Sequence, residues 1–372
     1  MRIIYLDNAA TTAPNMPALE EALSYAKENF FNPSAKYREA QDVAKKLNAC
    51  HEVFLKAYPK KKVVFTSCGT EADNTAVFSF CGRGNVVTSL GEHSAVNNAV
   101  LKLKEKGAAV RFAKLIDGGR VDVEDLLKLV DKDTSFVSIV HVNNETGAIN
   151  DINTIAKKVK AIAPKCIFHS DGVQGFCKVS VKLCDEIDLY SVSAHKIGGL
   201  KGVGALIVNP KLATKPYLFG GGQENGFRSG TENVLGIVQF AKVFEQRYAN
   251  IEENYQKVLS LKQILIDGLD KSIFRVVSSD DASPYIVSVS AVGLRGQILQ
   301  NMLNDDGILV GTGSACSSKN PHSRIISSFI QDKKVLDGML RISFSPETSA
   351  QDVKNAVERL NFNGAKLKQV IR

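Results

Sequence analysis

Short β-branched runs alternate with longer amphipathic stretches over the first two hundred residues, and this alternation constrains the fold more than any other feature. The run 63–66 precedes a helix-like 71–80, 85–88 precedes 95–106, and 136–142 precedes 154–163. Further strand-like runs follow at 166–169, 189–192 and 205–208. Strands separated by helices of this length predict an α/β domain around a largely parallel sheet, with ligands at the C-terminal ends of its strands. The pattern changes near residue 232. A long helical region is expected over 232–269, then strands at 274–277 and 285–289, a helix at 296–305 and a strand at 339–344. That order predicts a second, smaller α+β unit.

Composition narrows the functional class. Apolar residues make up 44% and charged residues 23% of the 372, as in folded globular proteins. Seven cysteines, an odd number without dense spacing, argue against a disulfide scaffold and for a reducing, cytoplasmic setting. No apolar run approaches the roughly 20 residues of a membrane span, and MRIIYLDNAATT lacks the features of a signal peptide. The net charge of +8 is spread out, with Lys60, Lys61 and Lys62 as its only run of three, which disfavours direct nucleic-acid contact. No cysteine or histidine spacing suits a metal site.

The chemistry-bearing residues fall where strands end. Lys196 in SAHK follows a buried-looking strand, where desolvation lowers an amine's pKa and suits it to Schiff-base formation; a solvated loop lysine is the plain alternative. Asp171 precedes it by 25 residues, enough for one strand–connection–strand step. A carboxylate beside a pyridine nitrogen and a lysine on an aldehyde carbon are what a pyridoxal phosphate site needs, although an aspartate here also suits a helix cap. Gly69 and Thr70, between a strand and a helix, make either a phosphate cup or an ordinary N-cap. His93 follows a strand and suits ring stacking and proton transfer. Cys316 lies among small residues in GTGSACSS, the setting of an exposed nucleophilic thiol. Arg341 sits in a strand-like run and suits bidentate carboxylate recognition; a salt bridge at a strand edge is the plain alternative. The glycines match neither GxGxxG nor a P-loop, which disfavours a dinucleotide enzyme.

Taken in order, the blocks YLDNAATT, NPS, FTSCGTEADN, EHSAV, HVNNETG, SDGVQ, SAHK, KGVGAL, GGGQENGFRSGTEN, GSACSS and LRISF resemble the NifS/IscS-type cysteine desulfurases of the class V aminotransferase-like, pyridoxal-phosphate family. The resemblance spans almost the whole chain. It implies fold type I with a seven-stranded-type sheet, a cofactor-binding large domain over 12–250, and a small domain from 1–11 and 251–372. It implies a homodimer that takes L-cysteine to L-alanine and leaves a persulfide on Cys316. The sulfur acceptor would be an iron–sulfur scaffold or a tRNA-thiolation enzyme. Selenocysteine lyase or another class V enzyme is the alternative.

Roles carry over by motif. Lys196 would hold the cofactor covalently, Asp171 would pair with its ring nitrogen, Gln174 with its ring hydroxyl, and His93 would stack on the ring. Gly69, Thr70, Ser193 and His195 would hold the phosphate, with Thr231 reaching in from the other subunit. Asn143 would contact cofactor and substrate, and Arg341 and Asn8 would serve the substrate carboxylate. Two departures stand out: Cys68 replaces the family's glycine beside the phosphate cup, and NPS runs directly into Ala35, about three residues short.

Overall fold

The computed structural model describes residues 2–312 and 322–371. Its strands in chain order are β1 (Ile4–Tyr5), β2 (Lys62–Thr66), β3 (Asn85–Ser89), β4 (Val110–Ala113), β5 (Thr134–Ser138), β6 (Ile167–Asp171), β7 (Leu189–Ser193), β8 (Gly204–Val208), β9 (Phe274–Val276), β10 (Ile286–Ala291), β11 (Ile308–Leu309) and β12 (Met339–Ser343). Seven of them form one sheet in the order β2-β8-β7-β6-β5-β3-β4. Every pairing is parallel except those of β8, which runs antiparallel to both β2 and β7. The α/β class and the mostly parallel sheet follow the expectation.

Alternation along the strands explains why helices cover both faces. In β2, Val63 and Phe65 join one core while Val64 joins the other; in β8, Ala205 and Ile207 divide in the same way from Leu206 and Val208. The first face is filled by an aromatic cluster. Phe54, from the helix Arg38–Ala57, stacks on Phe244, from the helix Val234–Ala249, with ring centroids 4.2 Å apart. Phe65, Phe176 and Phe240 complete the cluster. Against the second face pack the helices Gly69–Phe80 and Ser94–Glu105.

A third core joins β9, β10 and β12 to the helices Ile251–Gly268, Gly296–Asp305 and Ala350–Ile371. Leu6 and Ala9 belong to it, far in sequence from the rest. No helix among the described residues is long and apolar enough to cross a membrane.

Three expectations change. The helical region 232–269 is two helices, broken at Asn250, which ends one and starts the next at φ −116°, ψ 22°. Its side-chain amide donates to the Gln246 carbonyl at 2.8 Å, the local competition that makes asparagine a helix stop. The strand expected over 136–142 ends at Ser138, because the buried Glu92 carboxylate takes the Val140 N–H at 2.9 Å. Finally, the helix Ala350–Ile371 and the strand β4 had no counterpart in the expected pattern.

Candidate active site

The parallel strands deliver their C-terminal ends to one edge of the sheet. Asp171 closes β6 and Ser193 closes β7, after which a short turn, Ala194–Lys196, presents the lysine. β2 leads through Cys68 into the helix that starts at Gly69. β3 leads to Glu92 and to His93, which caps the helix Ser94–Glu105 by accepting the Ala95 N–H on Nδ1 at 3.2 Å. The turn after β5 supplies Asn143. Thus the sheet brings Gly69, Thr70, His93, Asn143, Asp171, Gln174, Ser193, His195 and Lys196 to one edge.

Two carbonyls hold the Lys196 ammonium: its Nζ donates to Ala9 O at 2.7 Å and to Ala10 O at 2.8 Å. Burial, reinforced by the nearby Arg341 guanidinium, lowers its pKa to about 8, so roughly a tenth of the amine is neutral at pH 7. Asp171 is buried, and its Oδ1 accepts the Val173 N–H at 2.9 Å. Burial raises its pKa, while His93 and Lys196 oppose the rise. A carboxylate set so deep calls for a cationic partner. The His93 ring is open to the cleft; partial desolvation lowers its pKa and Asp171 works against that.

The anion cup has an unexpected cap. Cys68 Sγ accepts the Glu71 N–H at 3.4 Å, a cap with sulfur in place of a hydroxyl, and the Glu71 carboxylate accepts the Ser67 N–H, one residue before the cap, at 2.9 Å. Cys68 has φ −174°, extended backbone that any residue adopts, so the departure from glycine leaves this turn unstrained. Gly69 is different. A Cβ there would lie 2.8 Å from Val173 Cγ2 and 3.4 Å from Ser193 Cβ, so its glycine lets the helix start abut β7. Ser193 Oγ is buried without a hydrogen-bond partner. Thr70 is exposed at the same helix start, and His195 is half-buried, its Nδ1 3.1 Å from Thr11 Oγ1. Burial and neighbouring lysines lower the His195 pKa to about 4, so it is neutral at pH 7.

The segment YLDNAATT straps this edge to the third core. Asn8 donates through Nδ2 to the Ser343 carbonyl at 3.0 Å, and the Ala9 N–H donates to Ser343 Oγ at 2.8 Å. Arg341, on β12, donates through Nη2 to Asp7 Oδ1 at 2.8 Å and through Nη1 to Asn144 O at 2.9 Å, leaving Nε buried and unspent. Asn143 is fully buried. Its Nδ2 donates to Gly91 O at 3.0 Å, and its Oδ1 accepts the N–H groups of Glu145 and Thr146, both at 2.9 Å. Asn8 and Asn143 therefore hold loops together at this edge, both spent on backbone groups.

Thr231 is exposed and lies beside Ser67, Gly202 and Arg228 along a groove at the same edge. Arg228 reaches from its loop to form a bidentate pair with Glu71, at 2.8 and 3.2 Å. Cys316 lies outside the described residues. Some neighbours were missed by sequence reasoning. Asp7 sits within YLDNAATT, and Lys178 stands four residues after Gln174, the spacing at which side chains meet across one turn.

The donor set suits a flat cationic heterocycle that carries a phosphate: an amine and a buried carboxylate at adjacent strand ends, and a helix start with an unspent hydroxyl.

Comparison with known proteins agrees. The chain matches the aminotransferase class-V family over residues 4–356. It is 34% identical to a cysteine desulfurase IscS of Clostridium botulinum, covering 96% of this chain and 93% of the relative. A cysteine desulfurase of a Nostoc species is 31% identical over 96% of this chain and 92% of its own length. Among solved structures, a NifS-like protein superposes with a TM-score of 0.92 at 30% identity, covering 98% of this chain and all of the other. Another, from Rickettsia africae, gives 0.88 at 28% identity, covering 97% and 99%. By sequence, sheet topology and the residues gathered at its strand ends, the chain belongs to the class V aminotransferase family, within the NifS/IscS-type cysteine desulfurases.

Proposed function

We propose that this chain is a pyridoxal-phosphate-dependent cysteine desulfurase that converts L-cysteine to L-alanine and leaves the sulfur as a persulfide on Cys316. The balance is closed: one cysteine and one protein thiol give one alanine and one protein persulfide. The observation that carries the reading is Lys196, held 2.7 and 2.8 Å from two carbonyls at the end of β7, beside the buried Asp171 that closes the adjacent β6.

Bound there, pyridoxal phosphate supplies an electron-withdrawing ring that stabilises the negative charge left when cysteine loses its α-proton. Asp171 would face the ring nitrogen, Gln174 the ring hydroxyl and His93 the ring face. Gly69, Thr70, Ser193 and His195 would hold the phosphate; the buried, unpartnered Ser193 hydroxyl supports this. Arg341 would bind the substrate carboxylate through its unspent Nε edge, with Asn8 and Asn143 keeping the neighbouring loops in place. Lys196, at the end of the strand beside the ring site, would take up the substrate's α-proton and return it. The Cys316 thiolate then takes the substrate sulfur.

The cores on the two sheet faces, and the separate one around β9, β10 and β12, support a large domain over 12–250 and a small one from 1–11 and 251–372. A homodimer is supported by one loop that carries both Phe219, 84% exposed, and Thr231, which would reach the partner's phosphate. The acceptor would be an iron–sulfur scaffold or a tRNA-thiolation enzyme. A catalytic thiol that must stay reduced fits the cytoplasm.

The test is direct. Protein reconstituted with pyridoxal phosphate should turn yellow and release alanine from L-cysteine, and sulfide when a thiol reductant is present. Lys196→Ala should abolish turnover. Cys316→Ala should still change the cofactor's spectrum on adding cysteine but release no sulfide. Full sulfide release by that variant would refute the role of Cys316, and a colourless protein would refute the whole reading.

A further inference from the structure

We propose that Lys178 is a positioning residue: it fixes the Gln174 side-chain amide so that nitrogen, not oxygen, is offered to the ring hydroxyl of the cofactor. The inference rests on the reading above that Gln174 faces that hydroxyl.

The geometry is a short chain of buried contacts. Lys178 Nζ donates to Gln174 Oε1 at 3.0 Å, and Gln174 Nε2 donates to Ala9 O at 2.8 Å. Ala9 O is also the acceptor for Lys196 Nζ at 2.7 Å. An amide in this place can sit in two orientations of nearly equal shape, and only its partners decide between them. A carbonyl on one side demands the N–H end, and an amine on the other demands the oxygen end. Both ends agree, and one N–H of the amide remains unspent. A ring oxygen that gains negative character needs such a donor, and a flipped amide would present a lone pair to it instead.

A purely structural role explains Lys178 poorly. It is 5% exposed, and its hydrogen-bond partner among the described residues is the Gln174 amide, not a carboxylate. Burial, reinforced by the cationic Lys196, Arg247 and Arg341, lowers its pKa to about 7. Protonated or neutral, the amine keeps an N–H for Oε1. Its Nζ lies over the Tyr285 ring, 5.7 Å from the centroid, a weak aromatic contact that does not replace a carboxylate. The turn that delivers it is costly as well: Cys177 has φ 55°, the left-handed region that a non-glycine residue rarely adopts. A buried amine without a counter-charge, on a strained turn, is a cost that stability alone would not retain.

The test compares wild type, Lys178→Met, Lys178→Arg, Gln174→Ala and the Lys178→Met/Gln174→Ala double variant, all loaded with pyridoxal phosphate. The readout is the pH midpoint of the bound cofactor's visible band. Gln174→Ala should move the midpoint up by about one pH unit, the scale of one lost hydrogen bond. Lys178→Met should move it the same way by a comparable amount, and the double variant should match Gln174→Ala alone. Lys178→Arg, which restores a donor, should stay near wild type. Thermal unfolding of Lys178→Met should occur at or above the wild-type temperature.

A wild-type midpoint in Lys178→Met beside a shifted Gln174→Ala would overturn the proposal, and so would a double variant equal to the sum of both shifts. A Lys178→Met protein that does not fold would overturn it too, by making the amine structural. An unshifted Gln174→Ala would instead overturn the underlying role of Gln174.

Discussion

Replacing Arg228 with methionine tests whether the loop carrying Thr231 is clamped to the anion cup. The guanidinium makes two bonds to Glu71, at 2.8 and 3.2 Å, with side chains 20% and 9% exposed. Breaking a fully buried pair from one side costs about 3–5 kcal/mol, and this pair is part-buried. Glu71 would keep the Ser67 N–H and its place in the first turn of a helix, so the low end applies, about 3 kcal/mol. For a chain this long, about 2 °C of melting temperature accompanies each kcal/mol, which gives a drop of about 6 °C at pH 7.

The pH dependence follows from Glu71. Burial would raise its pKa, but Arg228 and Ser67 outweigh burial and lower it. A carboxylate with a depressed folded pKa contributes stability above its unfolded value and loses it as pH falls through the folded one. The gap between wild type and Arg228→Met should therefore hold from pH 7 to about 4.5 and narrow below that. Thermal unfolding of the cofactor-free chain across pH 3.5 to 7.5, roughly, with Glu71→Gln and the double variant, measures it. A drop below about 1 °C, a gap unchanged by acid, or fully additive single variants would refute the clamp.

Two further outcomes follow from the site. Gly69→Ala should lower stability by about 1–3 kcal/mol and weaken cofactor binding, since its Cβ would meet Val173 Cγ2 at 2.8 Å; titration with pyridoxal phosphate beside a melting curve checks both. In the cofactor-free chain, Lys196 should acylate with a pH midpoint near 8, about 8 rather than the ordinary 10.5, as read by mass spectrometry of its peptide over a pH series; a midpoint near 10 would contradict its desolvation.

The residues that carry chemistry were readable in the sequence because a parallel sheet places all its strand ends together. The gap of 25 between Asp171 and Lys196 maps onto β6 and β7, which are neighbours, with His169 opposite Leu189. What local pattern could not show is partner choice. Asn250 breaks a helix that apolar spacing alone would continue, because its own amide competes for the Gln246 carbonyl. Glu92 ends a strand by taking a backbone N–H that the β-branched run would have spent on a ladder. Cys68 replaces a glycine that sequence alone marks as a risk, yet its sulfur caps the helix.

The sequence by itself determined the α/β class, the strand-end positions of Asp171, His93 and Lys196, and the family, since these follow from periodicity and from motifs in a set order. Only the tertiary structure decided how the site is closed. YLDNAATT lies at the chain's start, yet its carbonyls hold Lys196 and its Asp7 holds Arg341, partners nearly two hundred and more than three hundred residues away. It alone, too, placed Lys178 behind Gln174 and left Ser193 with a free hydroxyl. Hydrogen bonds are satisfied in space. Backbone carbonyls are the same at every position, so nothing in a string of side chains marks which of them will receive a buried amine.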